Sequence, residues 1–258
     1  MRFLLLVPFL AGLGCKRPPD APESLDELCS YIYEHLMDEE DDALVAGLEN
    51  LVPWLDEHFE ETYEGYTVTN LSQEAVLSLD GVERDLTNLL GAAVGFDMEA
   101  TVADVVNALL SGDMNDIFED TYDIYERDFI TDLDCFLDGD CESVELDIHV
   151  VANYPLGLQV EATSRVNYRR VEVEGGEAIV QRTWMLEPGE SNKDWLTIDQ
   201  QYFLSVNLPR SGETRRVDAM WVKAFLGEGD VPENFALQVA IDTMRSTGES
   251  IDDYLTGR

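Results

Sequence analysis

Basic residues are scarce in this chain of 258 residues: 16 Lys and Arg stand against 54 Asp and Glu, a formal net charge of −38. A surface so acidic repels phosphate backbones and anionic lipid headgroups, which excludes nucleic acid as a partner. Histidine is scarcer still. His35, His58 and His149 are the whole stock, and none stands in a zinc-ligand spacing such as H-E-x-x-H. The chain has no glycine-rich phosphate loop and no G-x-S-x-G elbow. Carboxylates are so numerous that no pair singles itself out as a glycosidase couple. These absences argue against an enzyme and against an organic cofactor. Long apolar runs are missing too. The opening run, Phe3 to Leu13, is eleven residues, about half of what a bilayer-spanning helix needs.

What is present begins at the N-terminus. One charge, Arg2, precedes the apolar run, and small residues precede Cys15, the make-up of an export signal. Gly14-Cys15 resembles the lipobox of bacterial lipoproteins, with Gly12 where that motif usually has Leu. The resemblance implies that residues 1–14 are removed and that Cys15 is acylated. It also implies that residues 15–22 tether the protein to a membrane of the bacterial cell envelope. Pro18, Pro19 and Pro22 keep such a tether extended. Lys16, directly after the cysteine, leans toward the outer membrane by the same resemblance.

Charge and apolar period both change near residue 142. Residues 15–142 hold 35 acids against 4 bases, and residues 143–258 hold 19 against 11. Up to about residue 141 the apolar spacing is helical. Ser24 and Glu27 form a capping box ahead of Leu25, Leu28, Cys29, Ile32 and Leu36. A second helix is expected over 42–63 with a kink at Pro53, and others over 82–94, 98–110 and 114–131. The last would carry Phe118, Tyr122, Tyr125 and Phe129 as an aromatic core stripe. Phe59-Glu-Glu-Thr-Tyr-Glu-Gly-Tyr66 is echoed by Phe118-Glu-Asp-Thr-Tyr-Asp-Ile-Tyr125, which raises a duplicated helical hairpin. From Glu142 the period is two. Strands are expected over 144–150, 158–173, 178–186, 196–206 and 217–226, with a bulge at Arg169-Arg170, and then a helix capped at Asp230 and Glu233.

The expected architecture is therefore α+β. An acidic N-terminal helical bundle (23–141) is followed by a five-stranded antiparallel sheet with a long C-terminal helix packed on it (142–258). That element order resembles the helix-grip fold, which holds apolar ligands between sheet and helix.

Three places might carry function. Cys135 and Cys141 flank a turn and suit a small disulfide in an oxidising compartment. Cys29, on an apolar stripe, would be a buried free thiol, although its pairing with either of the others stays open. Asp134, Asp138, Asp140 and Glu142 around that turn offer oxygen ligands for weak Ca²⁺ binding, but the spacing is not that of an EF-hand. Arg182 and Lys223 fall in phase with Trp184 and Trp221. A buried cation needs a partner, either a ligand carboxylate or an internal acid. The leading expectation is a non-enzymatic envelope lipoprotein that binds or scaffolds through its acidic surface, toward a basic protein or envelope partner. The alternative is a carrier of a small apolar or anionic ligand, and the third is an unrecognised hydrolase.

Overall fold

The structure, a computed structural model, describes residues 20–119, 121–154, 157–227 and 235–258. The signal residues, Cys15, most of the tether and the cap at Asp230 and Glu233 lie outside the described residues.

Two helices open the described chain, α1 (Leu25–His35) and α2 (Asp42–Tyr63), followed by the two-residue strand β1 (Tyr66–Thr67) and α3 (Gln73–Asp80). Then come β2 (Leu90–Met98), α4 (Val102–Ser111), α5 (Met114–Ile117), β3 (Tyr122–Phe129) and α6 (Leu133–Leu137). The rest is β4 (Ser143–Tyr154), β5 (Leu158–Val173), β6 (Gly176–Met185), β7 (Glu190–Ser191), β8 (Leu196–Arg210), β9 (Glu213–Leu226) and α7 (Phe235–Thr256). All pairings are antiparallel, in one nine-stranded sheet of order β1-β2-β9-β8-β6-β5-β4-β3, with β7 beside β5.

This corrects the expected five-stranded sheet behind a separate helical bundle. The five strands read after residue 142 are there, but β2 and β3 come from the acidic half and extend the sheet at both ends. Leu90-Gly-Ala-Ala-Val-Gly-Phe-Asp-Met98 is almost continuously buried. A strand covered on both faces shows no alternation, so its apolar run reads equally as helix. In β3, Tyr125, Arg127 and Phe129 turn inward while Glu126 and Asp128 turn out. An irregularity between Tyr122 and Ile124 shifts the phase, and the aromatic spacing imitates a helix. The echo around Phe59 and Phe118 runs from a helix end into a strand in both places, so it is not a repeated helical hairpin. No bulge occurs at Arg169-Arg170: the register of β5 is unbroken against β4 and β6. The apolar phase changes there because the better-covered face changes. In α2 the non-helical residue is His58, five positions after Pro53.

Both faces of the central strands β2, β9, β8 and β6 are covered, while the outer face of β3 and β4 stays wet. On the outer face, Leu28 and Ile32 of α1 and Leu44, Leu48 and Leu55 of α2 pack with Val180, Trp184, Leu204, Val206, Ala219 and Trp221. Tyr33 sits edge-on to both Tyr202 and Trp221 and donates its hydroxyl to the Thr183 carbonyl at 3.2 Å. Cys29 is buried in this layer and free, and burial pushes its thiol well above the ordinary range.

On the inner face α7 lies along β2 and β9, and α4 crosses β6 and β8. Ala240, Ile241, Met244 and Ile251 of α7 meet Ala92, Val94, Phe96 and Met220 of the sheet. At Gly248 the helix comes so close that an added Cβ would stand 2.3 Å from the Phe96 ring. On an open helix face Gly248→Ala would stabilise by about 1 kcal/mol. Here the clash reverses the sign, and thermal unfolding of Gly248→Ala should show a loss of about 1–3 kcal/mol.

Candidate ligand-binding face

Arg182 and Lys223 do not face the C-terminal helix. Both lie on the outer face, beneath the N-terminal layer, and both are buried. Arg182 donates to Asn167 Oδ1 at 3.1 Å and to the Tyr33 carbonyl at 3.3 Å, and lies over the Tyr33 and Trp184 rings. Burial lowers its guanidinium from the usual value. Lys223 Nζ donates to the Asp85 carbonyl at 2.7 Å and stands 3.0 Å from the Asp85 carboxylate and 3.6 Å from that of Asp199. Asp85 is held down to about 2 by the Thr87 hydroxyl, the Thr87 N–H and Lys223. The internal partners the sequence left open are thus Asn167, Tyr33, Asp85 and Asp199. Neither cation lines a chamber under α7, because a sheet buried on both faces gives phase no preferred side.

Cys135 and Cys141 form a disulfide. It closes a turn in which Asp132 caps α6, its side chain accepting from Cys135 N–H at 3.1 Å. Asp134 and Asp138 sit at the two ends of that short helix, with the Asp138 N–H bonded to the Asp134 carbonyl at 2.9 Å. Among the described residues, no three His, Cys, Asp or Glu side chains come together as a cation cage, so Asp134, Asp138, Asp140 and Glu142 are not gathered into one.

The inner face is where accessible surface and apolar chemistry meet. Strand alternation and register set its rows. One row runs Val94, Asp218, Ser205, Gln181, Tyr168, Val144 across six strands; the next toward the β8 start runs Ala92, Met220, Phe203, Thr183, Val166, Leu146. Beyond them come Ser164, Ile148 and Arg127, then Ala162, Val150 and Tyr125, then the buried Val160 and Ala152 with Tyr122, and last Leu158 and Tyr154. At one end this face is sealed: Val102, Val106 and Leu110 of α4, with Phe136 of α6, pack against Val144, Leu146, Val166, Tyr168 and Ile179. Toward the other end Ile148, Val150, Tyr154, Ala162, Thr183 and Phe203 keep part of their surface accessible although they point inward. Tyr122 and Tyr125 are also half-buried, and they touch ring to ring at 5.0 Å. Desolvation raises the phenols of Tyr122, Tyr125 and Tyr154, and for Tyr122 the other two add to the effect. Inward-facing side chains that keep accessible surface leave this end of the inner face open to solvent. Sequence reasoning misses it because the aromatic spacing places β3 within a helix over 114–131. The available signal was the small pair Ala162 and Ser164 opposite Val150 and Ile148.

At the sealed end lies a buried ion pair. Arg216 Nε donates to Asp218 Oδ1 at 2.8 Å, with both side chains at most 2% exposed. Ser205 stands across from Asp218 and Asn207 from Arg216. Burial raises the Asp218 carboxyl above its ordinary range, against the attraction of Arg216.

No protein-family model matches the sequence, and no curated protein matches it either. Among solved structures, the chain is similar to the STAR-related lipid transfer protein of Xanthomonas axonopodis, at 14% identity and a TM-score of 0.44, over 66% of this chain and 87% of that one. The human StarD13 lipid transfer and protein localization domain is similar at 12% identity and a TM-score of 0.41, over 80% of this chain and 95% of that one. A START superfamily protein of Mycobacterium smegmatis is similar at 8% identity and a TM-score of 0.40, over 65% and 97%.

Removing one member of the buried pair strands the other. Asp218→Ala should cost about 3–5 kcal/mol in urea unfolding, whereas the double replacement Arg216→Met with Asp218→Leu should recover most of that loss.

Proposed function

We propose that this protein is a carrier that holds a small apolar ligand between the inner face of its sheet and the cover formed by α4, α5 and α7. One observation carries the reading: inward-pointing Ile148, Val150, Tyr154, Ala162 and Phe203 keep accessible surface, while the rest of that face is covered by α4, α6 and α7. Apolar surface left accessible there favours an apolar guest by about 25 cal/mol per Å² covered. The acidic helical layer supports this role as a scaffold for the outer face. The notion that it is itself the contact surface is less well supported, because its apolar stripes are spent on the sheet.

The test is titration with N-phenyl-1-naphthylamine, a neutral dye that brightens in apolar surroundings. The wild-type chain should show saturable binding, and Ala162→Trp, which covers that surface, should weaken it at least about ten-fold, roughly 1.4 kcal/mol, without loss of folded structure. Absence of saturable binding by the wild type defeats the carrier reading.

We also propose that the carrier works at a bacterial membrane, tethered through an acyl chain on Cys15. The support is the sequence before Cys15 and the proline-rich segment after it. Growth with labelled palmitate should mark the protein, and Cys15→Ser should abolish both the mark and its sedimentation with membranes.

A further inference from the structure

The open end of the inner face has one cationic side chain. Arg127 faces inward from β3, opposite Ile148 and one strand from Ser164. Its Nη2 donates to the Gly112 carbonyl at 3.0 Å, and the guanidinium lies 5.1 Å from the Tyr125 ring centre. Its Nε is buried with no hydrogen-bond partner among the described residues. Among the described residues Arg127 has no carboxylate partner, in a chain with 54 acids. The contrast with neighbouring cations is instructive: on this same face Arg216 has Asp218 and Arg170 has Glu177. Arg182 also lacks a carboxylate, but it is sealed beneath α1 and its carbonyl and amide acceptors are in place. Arg127 is only half-buried, beside the two tyrosines and the accessible apolar run.

Resting on the carrier reading above, we propose that the ligand is an amphiphile with a carboxylate head, that Arg127 receives that head, and that its tail lies along Ile148, Val150 and Tyr154. A guanidinium meets a carboxylate through parallel N–H donors, and the Tyr125 side chain pairs with Arg127 beside that head. The field of a chain with net charge −38 disfavours any anion in its interior except beside a local cation. It penalises a doubly charged phosphate more than a singly charged carboxylate. From Ile148 to Tyr154 the strand runs about 20 Å, away from the end sealed by α4 and α6. The ligand therefore enters head first and lies extended, with the tail toward Tyr154 and Leu158.

The experiment displaces N-phenyl-1-naphthylamine from the full chain with dodecanoate and with dodecanol, which share a tail and differ in head. At a pH where the acid is ionised, the wild type should take dodecanoate at least about ten-fold more tightly than dodecanol, the scale of one hydrogen bond to a charged group. Arg127→Met should erase that preference by weakening dodecanoate alone, and Arg127→Lys should keep much of it. Equal affinity of the wild type for the two heads overturns the inference while leaving the carrier reading intact. So does an equal loss of both in Arg127→Met, which would make Arg127 a purely structural residue. Failure of the dye itself to bind sinks the carrier reading instead. Should Arg127→Met not fold, the wild-type comparison alone decides.

Discussion

The central strands of the sheet are buried on both sides, and much of the molecule follows from that. Alternation along a strand sends successive side chains to opposite faces, so a sheet whose two faces are both apolar cannot be served by one helical layer. Trp184, Tyr202 and Trp221 need α1 and α2, while Phe96, Phe203 and Met220 need α7. The chain meets this demand by placing helices before, within and after the strands. The N-terminal helices are therefore the outer wall of the same core and not a separate bundle.

Charge is arranged to match. The acidic half docks on a sheet face that presents buried cations. Arg215 bonds Asp56 of α2 and Asp97 of β2, Arg169 meets Asp41 and the carbonyls of Leu36 and Asp38, and Lys223 meets Asp85. Each of these cations is mostly removed from water and gains by pairing, because an uncompensated buried charge is costly. Part of the acidity is thus spent inside the molecule. The remainder covers the surface and sets the condition under which the interior can hold an anion at all. Polar groups on the inner face follow the same logic at the sealed end, where Arg216 Nε pairs with Asp218 Oδ1 although Asp218 Oδ2 finds no partner among the described residues. At the accessible end Arg127 leaves a donor unused.

Sequence reasoning found elements where one face of a segment was clearly wet. In β4, Glu145, Asp147 and His149 alternate with Val144, Leu146 and Ile148 and mark the strand unambiguously. It failed where both faces were covered, as in β2, or where the inward face carried a charge, as at Arg127 in β3. The same ambiguity misplaced Arg182 and Lys223: their phase with the tryptophans was right, but the side of the sheet was undetermined. The aromatic spacing marks Tyr122 and Tyr125 but assigns them to a helix, and nothing in the pattern singles out Arg127.

By itself the sequence determined the local periods after residue 142, the unusual acidity and the α+β class, because these depend on spacing and composition along the chain. Only the tertiary structure decided which face of each strand met which helix, that the acidic half supplied strands to the common sheet, and where an inward side chain stayed open to solvent. Those are relations between segments far apart in the chain, and a residue's own neighbours in sequence carry no record of what packs across from it.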